Sequence, residues 1–334
     1  MKIIIATPLF PPEIEGIASY SQDIAKRLKD KHQVQILTYA GQVEEVVGLE
    51  IFTINKRQLI FFRIWNYFIQ LFKLAKQSDL IYVQNSVAVS LPAILVKIFT
   101  GKKVIINFIE DEAWKRARHN KLTDKSWQSF LAKPELNFKI NLIRKLQSWT
   151  LRQADQVMVS SQFLAEAVSQ SYVLAHSKVV VNYPVATNPI ILPFEQAMKK
   201  NQILVFGQAL DLVNLKISND WKFITLSNKS LSKAEISYLI NTSELIIYNT
   251  QSENFDNFLI DCVVAGKNIL AYDTNYTREI LGQSGLFIDF NNKQLVLEKI
   301  QQLLGSRTEN KLGRFTWESH INKLQEIFQA QVKK

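Results

Sequence analysis

The sequence predicts an α/β protein of two Rossmann-like domains, each built on a parallel sheet. Short apolar runs suited to buried strands alternate with helical patterns along the chain. Its 334 residues exceed one typical hydrophobic core. Pro184, Pro189 and Pro193 interrupt the pattern mid-chain and mark a linker. Strand-helix alternation of this kind stacks helices on a parallel sheet.

The elements follow in order. Ile3–Ala6 reads as a strand, then a loop from Thr7 to Gly16 holds three prolines. Ile17, Tyr20, Ile24 and Leu28 recur at helical spacing within Ile17–Lys29. Val34–Leu37 and Ile51–Ile54 are the next strands. A long apolar-basic helix precedes the strand Leu80–Val83. A helix around Ala88–Phe99 leads to the strand Val104–Phe108. A helix near Asn137–Arg152 precedes Gln156–Val159, and Lys178–Val181 closes the first half. The second half opens with Ile203–Phe206 and continues through Lys222–Thr225 and Glu244–Tyr248.

Residues 252–272, SENFDNFLIDCVVAGKNILAY, place one acid before an apolar run and a second inside it. Asn257–Ala265 has helical character, with Asp256 or Asn257 as the cap and Gly266 as the left-handed residue past the end. Ile269–Tyr272 is then a buried strand. Glu253 falls in the loop after a strand, and Asp261 lies on the helix that follows. Such loops bind ligands in open α/β sheets. Spacing alone favours the plainer reading, a loop acid plus an exposed helix acid.

Composition bounds the function. Hydrophobic residues make up 47% and charged residues 21%, as in ordinary folded proteins. Cys262 is the one cysteine, so no internal disulfide forms, which fits a reducing compartment. It lies on an apolar helix, where a thiol acts as a small core residue. MKIIIATP is too short an apolar run for a signal peptide. A formal charge of +10 favours an anionic partner. No recognised nucleic-acid motif accompanies it, so nucleic acid is not the expected one.

Lys56–Gln77, KRQLIFFRIWNYFIQLFKLAKQ, has a polar stripe of Arg63, Asn66, Gln70, Lys73 and Gln77. The remaining surface is apolar, wider than one surface helix needs. Two placements stay open: burial in the first domain, or a bilayer interface with Lys and Arg at anionic headgroups. Arg63 and Lys73 argue against a transmembrane span. Lys115–Lys121 is a second basic region.

Several stretches together resemble glycosyltransferase family 4, the "group 1" retaining nucleotide-sugar transferases of GT-B fold. TPLFPPEIEGIASY is similar to the family's first loop and helix, and KHQVQILT to its second strand. RQADQVMVSS and VVVNYPV resemble segments at the end of its first domain. Residues 252–272 resemble its pair of acids, GQSGLFIDFNN the segment that follows, and FTWESHINKLQEIF its terminal helix.

The resemblance implies two Rossmann-like domains facing across a cleft: residues 1–185 on the acceptor side, 186–315 on the donor side. The helix within 316–334 returns to the first domain. It implies transfer of a sugar from a nucleotide-sugar to a saccharide or lipid-linked acceptor in glycan or polysaccharide assembly. No metal or other cofactor is expected. Glu253 becomes the catalytic residue at the donor sugar and Asp261 the ribose ligand. A carboxylate suits vicinal hydroxyls because it accepts two hydrogen bonds. Gly16, Gly207 and Asn257 complete the expected donor-binding set. The implied location is cytoplasmic, on the inner face of the membrane, with an anionic lipid surface and a partner glycosyltransferase as candidate contacts.

The chain departs from the family pattern at three places. Glu15-Gly16 replaces a pair of glycines, and Ile109 replaces a histidine at the reacting sugar, with His119 ten positions on. Gln208 replaces an arginine, and the lysine position falls near Val213, with Lys216 out of register. Each lost cation removes a charge-assisted bond of roughly 1.5–3 kcal/mol to a diphosphate. These departures imply an alternative, a catalytically degenerate GT-B subunit that binds or scaffolds beside an active partner. Glu110-Asp111-Glu112 reads as a solvated acidic loop rather than a metal site.

Overall fold

The computed structural model describes the chain except residues 14–15, 85–86, 126, 133–136, 187–200, 208–220, 227–230, 251–256, 283–284, 305–312 and 334. The chain divides into two compact units. One comprises Met1–Asn182 with Ile321–Lys334, and the other Tyr183–His320.

The first unit's strands are β1 (Lys2–Thr7), β2 (Gln33–Tyr39), β3 (Glu50–Ile54), β4 (Leu80–Gln84), β5 (Lys103–Asn107), β6 (Gln156–Val159) and β7 (Val179–Val181). They pair in parallel, in the order β3-β2-β1-β4-β5-β6-β7. Ile3, Ile4 and Ile5 are all fully buried, so both faces of β1 are covered. This is why the strand reads as a continuous apolar run. The helices are α1 (Gly16–Leu28), α2 (Ile60–Ala75), α3 (Val87–Thr100), α4 (Glu112–His119), α5 (Trp127–Ala132), α6 (Phe138–Gln153) and α7 (Gln162–Tyr172). Tyr67, Leu71 and Ala75 of α2 recur at helical spacing and join the core with Ile4, Ile81 and Ile94.

The second unit holds β8 (Gln202–Gly207), β9 (Lys222–Leu226), β10 (Leu245–Asn249), β11 (Asn268–Tyr272) and β12 (Leu286–Ile288). They form a parallel sheet in the order β12-β11-β10-β8-β9. Its helices are α8 (Lys233–Thr242), α9 (Asn257–Val264), α10 (Asn275–Leu281) and α11 (Lys293–Leu303). Leu204 and Ile246 pack into one core with Leu259 and Ile260, while Ile203, Val205 and Ile247 pack into another with Val296 and Ile300. Strand alternation feeds both faces. Side-chain caps fix the helix starts: Ser232 and Glu235 form a capping box on α8, and Asn292 caps α11.

The last helix, α12 (Trp317–Val332), starts in the second unit, and its residues from Ile321 belong to the first. Phe328 is fully buried against Tyr82, with ring centroids 5.2 Å apart. At the start of the helix, His320 Nδ1 lies 2.6 Å from the Tyr183 carbonyl oxygen. These are the last and first residues of the second unit.

Candidate functional site

In the second sheet β8 has β10 on one side and β9 on the other. The crossovers leaving β8 and β10 therefore part at their carboxyl ends, a topological switch point where α/β sheets bind ligands. Gly207 ends β8 opposite Asn249 of β10. Its φ is +99°, and a Cβ there would lie 2.1 Å from the Asn249 carbonyl oxygen. Only glycine meets both conditions. Phe206 stacks with Tyr248 and with Phe258, at centroid distances of 5.3 and 4.4 Å, in a three-ring cluster that ties both strands to α9.

The chain leaving β10 runs into α9, which bears two of the expected residues. Asn257 is the first helical residue and exposed, so it stands inside the helix rather than capping it. Asp261 is half-buried one turn further on, and the i, i+4 spacing puts both on one face. Phe258, Cys262 and Val264 face the core, as expected for the thiol. Glu253 lies outside the described residues, as do Asn254, Asp256, Gln208, Val213 and Lys216.

Gly266 ends α9 with φ +67°. Its N–H donates to the Val263 carbonyl at 3.0 Å, and that of Lys267 donates to Cys262 at 3.1 Å, a left-handed helix stop. Lys267 Nζ then donates to the carbonyls of Asn241 and Ser243, at 2.6 and 3.0 Å. Burial, opposed by Cys262 and Glu244, pushes its pKa down to about 8.

The first sheet has its switch point between β1 and β4, because β2 and β4 flank β1. Gly16 opens α1 there, exposed, and outside its chain neighbours and own helix no atom of the described residues lies within 4 Å of a Cβ built on it. The free N–H groups of a helix start favour an anion. Glu15 lies outside the described residues. Behind the loop, Ser21 Oγ donates to Thr7 Oγ1 at 3.1 Å and Thr7 Oγ1 donates to the Leu9 carbonyl at 2.9 Å. A buried polar row crosses the strand ends: Asn107 Nδ2 donates to Gln84 Oε1 at 2.9 Å, and the Tyr20 and Tyr82 hydroxyls lie 3.5 Å apart. Burial raises the pKa of both tyrosines, which stay neutral.

The acidic trio corrects the expected solvated loop. Asp111 is only 2% exposed. Its Oδ1 caps α4 by accepting the Trp114 N–H at 2.8 Å, and its other oxygen accepts the Tyr172 hydroxyl. Glu112 accepts the Val87 N–H at 2.6 Å and pairs with Arg116. Glu110 pairs with Lys115. All three acids hold helix starts or basic neighbours, because carboxylates offset the positive end of a helix dipole. No cluster of potential metal ligands occurs among the described residues. His119 is exposed at the end of α4, within the basic run Lys115–Lys121.

The sequence profile of Glycosyltransferase Family 4 matches residues 14–185, just over half of the chain. The chain belongs to glycosyltransferase family 4. Its fold is GT-B, as three solved structures indicate. A glycosyltransferase from Rickettsia africae is 15% identical with a TM-score of 0.65, covering 99% of each chain. Anabaena HepE in complex with UDP is 12% identical with a TM-score of 0.64, covering 99% of this chain and 100% of that one. Sucrose-phosphate synthase from Thermosynechococcus elongatus is 11% identical with a TM-score of 0.63, covering 99% of each. No curated protein matches the sequence significantly.

Within this family 4 chain, Gly207 ends β8, and Asn257 and Asp261 lie on α9, whose Phe258 stacks on Phe206 of the same strand. Gly16 belongs to the first unit. Sequence reasoning overlooked the Gln84–Asn107 pair and the Tyr20–Tyr82 contact. Their signal was present, since Gln84 and Asn107 are polar residues ending apolar strands. It also overlooked a cluster on Tyr183, whose ring carries the Arg314 guanidinium at 4.4 Å and whose hydroxyl donates to Glu279 at 2.9 Å. No short motif announces contacts so distant in sequence.

Proposed function

We propose that this protein transfers a sugar from a nucleotide-sugar donor to a saccharide or lipid-linked acceptor in glycan or polysaccharide assembly, with retention at the sugar carbon. The observation that carries the reading is the site at the second switch point of a family 4 chain, where Gly207 ends a strand beside the helix bearing Asp261. The similarity to HepE, solved with UDP, supports a nucleotide there.

In this reading Asp261 accepts hydrogen bonds from the ribose hydroxyls, Asn257 adds a donor and an acceptor on the same face, and Glu253 meets the donor sugar. Gly207 supplies backbone at this strand end for the phosphates, its side-chain position being filled by the Asn249 carbonyl. The leaving diphosphate is stabilised electrostatically, by backbone amides. The reaction takes place at the cytoplasmic face of a membrane, which suits a lipid-linked acceptor and a protein of charge +10.

One observation favours a second reading. Ile109, beside the Asp111 cap, puts an apolar side chain where the family carries a histidine. A chain that binds donor but does not turn it over would be a scaffolding subunit beside an active partner. Calorimetry with a panel of nucleotide-sugars, followed by product analysis, tests both. Binding with turnover supports the transferase, binding without turnover supports the subunit, and no binding by the wild type overturns both donor-site assignments.

A further inference from the structure

The first unit carries an apolar surface that its own fold leaves uncovered. On α2 one face, with Tyr67, Leu71 and Ala75, is buried against the sheet. The other face meets solvent: Phe61 is 74% exposed and Trp65 54%, with Leu59 and Phe62 beside them. The end of α3 adds Ile98 and Phe99, the latter 69% exposed. The two helices form one surface, since the Trp65 and Phe68 rings stack at 5.6 Å and Phe68 meets Phe99 at 6.1 Å. Single exposed apolar side chains are ordinary, but a contiguous aromatic patch over two helices marks an interaction site.

Charge identifies what it meets. Between Glu50 and Asp79 the sequence has five cations and no acid, and from residue 80 to Ile109 it again has no acid. Lys56 pairs with Glu13, while Lys97 and Lys103 pair with Asp155. Arg57, Lys73 and Lys76 are exposed and make no ion pair among the described residues. Lys76 Nζ stands 5.1 Å from the centre of the Phe72 ring, at the edge of the aromatic strip. A second copy would bring the same cations to this face and no acid to meet them. A membrane crossing is excluded for α2, whose 16 residues fall short of the ~20 that span a bilayer. No helix among the described residues is long and apolar enough to cross one.

We propose that the α2–α3 face docks on an anionic lipid bilayer. Phe61, Trp65 and Phe99 enter the headgroup–acyl boundary, and Arg57, Lys73 and Lys76 contact lipid phosphates at its rim. α2 lies in the interface plane, the arrangement suited to an amphipathic helix with aromatic and basic edges. The surface deepens the lipid-linked acceptor part of the proposed function and rests on that reading for its purpose. Docking itself requires no donor, so the two can fail separately.

The test is sedimentation of the full chain, without nucleotide, with vesicles of phosphatidylcholine alone or mixed with phosphatidylglycerol. Binding to the mixed vesicles only, declining as salt rises, is expected. The Phe61→Ser/Trp65→Ser/Phe99→Ser variant should bind about tenfold or more weakly with an unchanged circular dichroism spectrum, because all three side chains are exposed. Lys73→Glu/Lys76→Glu should weaken binding about tenfold or more while leaving Phe61, Trp65 and Phe99 in place, and it keeps the test intact if the serine variant misfolds. Brominated lipids should quench wild-type fluorescence more than that of Trp65→Phe. Absence of binding to anionic vesicles, equal binding to neutral ones, or a stable dimer that the serine variant dissociates would overturn the proposal.

Discussion

Gly207 and Asn249 meet so closely that no Cβ fits between them: one built on Gly207 would lie 2.1 Å from the Asn249 carbonyl oxygen. The contact joins β8 to β10 where their crossovers part. Gly207→Ala combines this overlap with a left-handed φ of +99°. It should cost about 3 kcal/mol of unfolding free energy in urea. Because the strain falls at the proposed donor site, nucleotide affinity should fall as well.

Gly16 predicts the opposite balance. Apart from its chain neighbours and its own helix backbone, no atom of the described residues lies within 4 Å of a Cβ on Gly16, so alanine meets no obstacle among them. Gly16→Ala should leave stability within about 0.5 kcal/mol. If a donor phosphate approaches the start of α1, the added methyl should lower turnover. Equal stability with unchanged turnover would remove Gly16 from the donor site.

Much of the fold was legible because buried parallel strands write themselves as apolar runs. Ile3–Ala6 and Ile203–Phe206 were placed within one residue of β1 and β8. Gly266 was legible as a helix stop because so few residues accept φ +67°. The acidic trio was misread because local charge density looks the same whether it is solvated or capping a helix. Asp111 is buried by Tyr172, 61 residues away, and no local pattern encodes that contact. The apolar width of α2 was plain in the sequence, but its two sides were not: core packing on one and exposure on the other depend on α3 and the sheet.

His320 gives the acid side of the stability profile. Burial, opposed by the bond from Nδ1–H to the Tyr183 carbonyl, lowers its pKa to about 4. The folded protein keeps the ring neutral while the unfolded chain takes up a proton below its ordinary value near 6.5. Stability should therefore fall as pH drops from about 6.5 to 4, by up to roughly 3 kcal/mol. His320→Gln retains a donor toward the carbonyl and should flatten that limb in urea titrations.

Lys267 acts on the alkaline side. Its pKa of about 8 lies below the ordinary 10.5, so the unfolded chain holds the extra proton between those values. Stability should rise with pH from 8 toward 10, by about 2 kcal/mol after allowing for partial exposure. Above 10 the buried tyrosines oppose the gain, since Tyr67, Tyr82 and Tyr172 ionise in the unfolded chain before the folded one. Lys267→Met should lower stability by freeing the Asn241 and Ser243 carbonyls and should abolish the rising limb.

The central claim is that α9 presents a ribose ligand to a nucleotide-sugar. Isothermal titration of wild type and Asp261→Asn with a panel of nucleotide-sugars tests it most directly, with Glu253→Gln assayed in parallel for turnover. An amide replaces one acceptor oxygen with a donor, so affinity should fall about tenfold to a hundredfold. Glu253→Gln should bind donor and lose turnover. Equal affinity of wild type and Asp261→Asn for every nucleotide-sugar that binds, or no binding by the wild type, would contradict the account.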